Sequence, residues 1–366
     1  MENEGKEGLL CSLGTENGEE DVFSCKQSNG SADHLVIMVH GILGRRTTNG
    51  VSLCQGLEVR CRAVCFKAPN KVFVHCSERN MAKLSLDGVD VMGERLAEEV
   101  LDIIKQKPDL SKISFVAHSV GGLVARYTIA RLYRPPNKES TELSATFCEK
   151  ESNGTIAGLE PINFITVATP HLGSRGNKQV PFLFGVPVIE RVAGCVIHLI
   201  FRRTGRHLFL TDDDEGKPPL LIRMLEDSEE LHYMSALRSF ERRVAYSNVG
   251  YDHIVGWRTS SIRRNIELPK WKDSLDEKYP HIVYEERCKA SDGEKCESVS
   301  TSGDGIDELE EELVIGLSRV TWEKVDVSFH RSKLKFAAHS IIQVKEDHMH
   351  SEGADVIQHM IDHFLL

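Results

Sequence analysis

Short apolar runs alternate along this chain with segments of helical periodicity. His34–His40 (HLVIMVH) and Val72–Cys76 are continuous apolar runs, the pattern of strands covered on both faces. Gly93–Lys107 then places Leu96, Val100, Ile103 and Ile104 on one helical face, and Pro108 ends it. Ile113–Ala117 is strand-like again, after which Leu123, Tyr127 and Ala130 recur at helical spacing until Pro135-Pro136. Ile162–Ala168, Val244–Val249 and Val325–Phe329 repeat the strand pattern. Helices are predicted at Leu220–Leu225, Glu230–Phe240, Ile306–Leu317 and Gly353–Leu366. This alternation predicts an α/β fold with a mostly parallel sheet, covered on both faces, and right-handed crossovers.

Several stretches break the alternation. Asn137–Gly158 is polar and without periodicity, so it is expected to be a surface loop. Phe182–Phe201 is strongly apolar, but Pro187, Glu190 and Arg191 interrupt it and argue against a transmembrane span. Arg202, Arg203 and Arg206 follow at once. An apolar segment beside a basic one fits a lid with peripheral membrane contact over 182–206, and equally a core helix of a cap. The lid or cap insertion is expected over about 172–240, and a flexible acidic insertion over about 285–312. Residues 1–32 read as a disordered acidic leader, and 33–366 as one domain.

Charge and cysteines narrow the function classes. A formal net charge of −10 argues against a nucleic-acid surface, which needs an excess of Lys and Arg. Ten cysteines without regular spacing point to reduced thiols and a cytoplasmic setting. Cys61 and Cys65 have no second pair of matching spacing, so no metal site is predicted.

The candidate chemistry centres on Ala117-His118-Ser119-Val120-Gly121-Gly122, where the predicted strand must turn sharply into a helix. Small residues two before and two after Ser119 make this the Gly-x-Ser-x-Gly elbow with alanine at its first position. Such a turn lifts the serine hydroxyl clear of the sheet and aims the Val120 amide at a developing oxyanion. A serine there is otherwise an ordinary helix cap. His40-Gly41-Ile42 follows the first strand, and Ile42 is the candidate for a second oxyanion amide. Asp252 stands in the first turn after a late strand, in the place of a triad acid. His339 lies beyond the last strand, in a small-residue turn suited to a general base. His348, His350 and His359 compete with it, and His330, at the strand end itself, is less suited. His171, in a Thr-Pro-His-Leu-Gly turn, either shapes the pocket or is structural.

The chain resembles the plant and fungal putative serine esterases, lipase-like members of the α/β-hydrolase superfamily, from His34 to Leu366. The likeness rests on Val39-His40-Gly41-Ile42, the Phe115–Tyr127 elbow, Ala168–Gly173, Asp252 followed by Val255, and Ala338-His339. It implies a three-layer α/β-hydrolase fold and hydrolysis of a small-molecule or lipid ester. It further implies a Ser119–Asp252–His339 triad working without cofactor. Arg45–Asn70 departs from the family pattern, with scattered arginines and Cys54, Cys61 and Cys65 in place of an amphipathic helix. Acyl transfer by the same machinery, and a catalytically silent binding protein on the same scaffold, are the two rival readings.

Overall fold

The computed structural model describes residues 32–42, 71–136, 154–174, 201–213, 216–274, 276–291, 308–344 and 351–366, with the backbone of 45–46 and 52–53. Seven strands form its sheet: β1 (His34–Val39), β2 (Val72–Cys76), β3 (Lys112–His118), β4 (Glu160–Val167), β5 (Arg242–Asn248), β6 (Ile282–Cys288) and β7 (Trp322–Val327). Their spatial order is β6-β7-β5-β4-β3-β1-β2. Every pairing is parallel except β6 with β7.

The apolar run of β1 is explained by its place between β2 and β3, where all six residues are buried. Successive side chains leave a strand on opposite faces. Leu35, Ile37 and Val39 therefore enter one core, and Val36 and Met38 the other. The first core is closed by helices α1 (Val89–Gln106), α2 (Gly121–Leu132), α4 (Tyr233–Ser239) and α6 (Glu308–Leu317). The second is closed by α7 (Ala338–Ile341) and α8 (Ala354–Asp362). Two short helices complete the set used below, α3 (Leu220–Arg223) and α5 (Trp257–Ser261). Helices thus cover both faces of a mostly parallel sheet, the predicted three layers.

Two expectations change at their edges. The acidic stretch expected to be flexible from about residue 285 begins inside β6, which pairs antiparallel with β7 through Glu285–Val325 and Cys288–Trp322. An edge strand buries only part of its surface and tolerates charge on the rest, so its acidic composition masked it. Within the expected lid or cap insertion, Leu220–Ile222 of α3 and Met234, Ala236 and Leu237 of α4 are buried in the first core. Helix α1 begins at Val89 rather than Gly93. Residues 1–31, 182–200, 292–307, His348 and His350 lie outside the described residues, as do Cys61 and Cys65.

Candidate active site

The carboxyl ends of the parallel strands gather the residues singled out above, the edge where open α/β sheets carry their sites. The β3–α2 junction is a left-handed turn: Ser119 has φ +56°, a conformation costing a non-glycine residue roughly 1–2 kcal/mol. Its neighbours hold it there. The Ser119 amide donates to the Val167 carbonyl of β4 at 2.9 Å, and the Gly122 amide to the Ser119 carbonyl at 3.1 Å. Two glycines are required by close approach. A Cβ on Gly41 would lie 2.8 Å from the Ser119 Cβ, and one on Gly121 would lie 2.6 and 2.7 Å from the carbonyl oxygens of His40 and Val39.

Gly41, Ile42, Val120 and Gly121 line a small cavity with Ser77, Asn80 and Met92. The space open to the centre of a water molecule there is about 10 Å³, room for about one water-sized group. His40 beside it is bound through Nδ1 to the Gly41 carbonyl at 2.8 Å. Burial lowers the pKa of His40, against opposing effects of that carbonyl and Glu99.

Asp252 follows β5 and is buried. Its Oδ2 accepts from His339 Nδ1 and from Asn248 Nδ2, both at 2.9 Å. Its Oδ1 accepts the backbone amides of Ile254 at 3.0 Å and Val255 at 2.9 Å. Burial alone pushes this carboxyl up, but the His339 imidazole and the converging donors outweigh it and hold the pKa below the ordinary aspartate value. Asp252 is therefore an anion aimed at one edge of His339. That interaction selects the imidazole tautomer with its proton on Nδ1, leaving Nε2 as a base.

His339 comes to the side of the elbow through His118, the residue before Ser119. The two imidazole centroids lie 4.6 Å apart, and His118 Nε2 is 3.0 Å from the His339 carbonyl oxygen. The structure thus brings together Asp252 and His339, and sets His339 against the elbow. Among the described residues no hydrogen bond joins Ser119 Oγ to His339. In unliganded enzymes such contacts are often long and tighten only around substrate.

The competing histidines have other partners. His359 contacts Tyr246 Oη at 2.9 Å in the second core, and His330 lies 3.1 Å from Asp273. His171 is fully buried, 3.0 Å from Thr166 Oγ1 and edge-on to Trp322. Burial, then buried Arg126, drives its pKa well below the ordinary value, so it is a neutral core residue. Sequence reasoning missed His118 and Asn248. The first was visible as a titratable residue inside the elbow; Asn248, four residues before Asp252, had no distinguishing signal. Among the described residues no group of His, Cys, Asp and Glu is placed to hold a metal ion, and no helix is long and apolar enough to cross a membrane.

Putative lipase ROG1 of Saccharomyces cerevisiae is 30% identical over 235 residues, covering 63% of this chain and 28% of that protein. Putative lipase C4A8.10 of Schizosaccharomyces pombe is 30% identical over 181 residues, 48% of this chain and 20% of its own length. The chain therefore spans less than a third of the length of these relatives. Among solved structures, Aspergillus fumigatus lipase B aligns with a TM-score of 0.34 and 16% identity, over 64% of this chain and 42% of that one. Legionella pneumophila phospholipase PlaB in complex with thio-NAD aligns at 0.33 and 16%, over 60% and 38%. Residues 29–262, which include the elbow and Asp252, match the family described as putative serine esterase (DUF676), and the chain belongs to that family.

Proposed function

We propose that this chain is a serine hydrolase of carboxylic esters, with lipid esters as its substrate class. The observation that carries the reading is the pairing of buried Asp252 with half-buried His339, standing against a left-handed serine elbow. Family membership supports the same chemistry. Ser119 Oγ attacks the acyl carbonyl while His339 Nε2 takes its proton, forming a tetrahedral intermediate. The amides of Val120 and Ile42 hold its oxyanion, each worth on the order of 3 kcal/mol in the transition state. Collapse breaks the bond to the alkoxy oxygen, which leaves as the alcohol with the proton from His339. Water, deprotonated by His339, then attacks the acyl-enzyme and releases the acid and free Ser119. Asp252 keeps His339 in the base tautomer and stabilises its charged form.

The test is labelling of the purified chain with a fluorophosphonate probe, followed by hydrolysis of a short soluble ester. The wild type is expected to label and turn over, and Ser119→Ala to do neither while keeping its fold. Turnover retained in Ser119→Ala refutes the assignment.

A further inference from the structure

The loops that carry Asp252 and His339 also expose large apolar side chains, and these meet outside the site. Phe336 is 67% exposed, Ile254 49%, Leu334 43% and Tyr251 38%. The Tyr251 ring meets Phe336 edge-on at 5.7 Å, and His253 stacks on Phe336 at 5.8 Å. Lys335 Nζ lies 4.8 Å from the Tyr251 centroid and 5.6 Å from that of Phe336. Scattered exposed apolar residues are ordinary. Here rings from two loops touch across the chain with a cation between them.

The charge around this patch opposes that of the whole protein. Residues 330–336 read His-Arg-Ser-Lys-Leu-Lys-Phe, and no acidic residue occurs between Phe329 and Val344. His330 packs on Trp271 at 5.5 Å, and Trp271 is flanked by exposed Lys270 and Lys272. Among the described residues Asp273 pairs with Arg331 and His330 at this rim. Asp252, on the neighbouring loop, is buried and bound by four donors. A chain of net charge −10 thus carries Arg331, Lys333 and Lys335 in the segment of exposed Leu334 and Phe336, with Lys270 and Lys272 flanking the Trp271 that packs on His330. Aromatic rings settle at the headgroup level of a bilayer, long lysine stems snorkel beside them, and anionic headgroups attract the ammonium groups.

We propose that this patch is a docking surface for an anionic lipid bilayer, holding the Asp252 and His339 loops against the membrane. It deepens the ester-hydrolase reading, from which it takes only what enters the site; docking itself needs no turnover. The test is flotation of the full chain carrying Ser119→Ala with phosphatidylcholine vesicles, with and without phosphatidylserine. Binding is expected to the anionic vesicles, to weaken with salt, and to be far weaker to phosphatidylcholine alone. Lys333→Gln and Lys272→Gln should each weaken it about fivefold, and Phe336→Asp with Leu334→Asp by about tenfold or more, with circular dichroism unchanged.

No binding by the parent chain overturns the proposal, as does equal binding to neutral vesicles. Undiminished binding by all the patch variants overturns it too, because the contact then lies elsewhere. Soluble-ester turnover by the chain with Ser119 intact separates the two readings. Turnover without vesicle binding sinks the docking surface alone, and vesicle binding without turnover sinks the chemistry alone.

Discussion

Replacing Asp252 by asparagine changes one atom's donor character at the point where the site is most constrained. The two backbone amides of Ile254 and Val255 require an acceptor, so the asparagine carbonyl is expected to take the place of Oδ1. Its Nδ2 then replaces Oδ2 and faces His339 Nδ1 and Asn248 Nδ2, both donors in the parent site. His339 escapes the clash by moving its proton to Nε2, and in that tautomer it cannot accept the Ser119 proton. Holding the base in the wrong tautomer costs about 10⁴-fold in kcat, or about 5 kcal/mol of activation free energy. Stability should change much less. Asn248 Oδ1 is buried without a partner, so rotating that amide supplies an acceptor for the new Nδ2. Loss of one charge-assisted bond, about 1–3 kcal/mol, is offset in part because an amide is less costly to bury than a carboxylate. The assay is kcat on a soluble nitrophenyl ester beside urea unfolding of the same preparation. If Asp252→Asn stays within tenfold of the parent kcat, Asp252 does not orient the base and the tautomer argument is wrong.

Three further outcomes follow from the same geometry. His118→Ala removes the ring against His339 and its contact with the His339 carbonyl, and should lower kcat about tenfold with little change in KM; an unchanged kcat in steady-state kinetics would falsify a positioning role. Gly121→Ala puts a methyl group against two backbone carbonyls that cannot move independently, so urea unfolding should show a loss of about 2 kcal/mol. Stability should also fall in acid. Burial, then Lys112, holds His34 at about 4 against an unfolded value of 6.5, so between these pH values the unfolded chain binds more protons. His34 therefore contributes stability in full above pH 6.5 and loses it as pH falls toward 4, up to about 3 kcal/mol. His34→Gln, titration-silent at that position, should flatten the urea-unfolding profile by that amount over the same window.

What could be read in advance depended on whether a residue's role is local. The β1 run, the elbow and the helix after it are patterns of adjacent residues, and each is found where periodicity placed it, with limits moved by a few residues. Asp252 and His339 were readable as candidates because chain order along a parallel sheet fixes which turns face the site. Their mutual contact, 87 positions apart, was not readable from local pattern. The edge strand β6 was hidden because half its surface is polar, and composition alone cannot tell a solvated strand from a loop. Buried charge was hidden for a related reason. Arg263 reads as one of three arginines near a turn, yet it is enclosed between Asp326 and Glu286, and Arg258 is enclosed with Glu310 of α6. Each of these arginines follows β5 in the chain and pairs with a residue from a later element, beyond the reach of helical or strand spacing. They tie the segment after Asp252 to β6, β7 and α6. The Asp252 turn is thereby anchored from both sides, by Asn248 at the end of β5 and by the Arg258 and Arg263 pairs beyond it. A precise His339 tautomer needs such a fixed carboxylate, because a mobile one would let the imidazole rotate. Removing Glu310 should therefore lower kcat on a soluble ester as well as the urea-unfolding midpoint, acting through α5 although it touches no reacting atom.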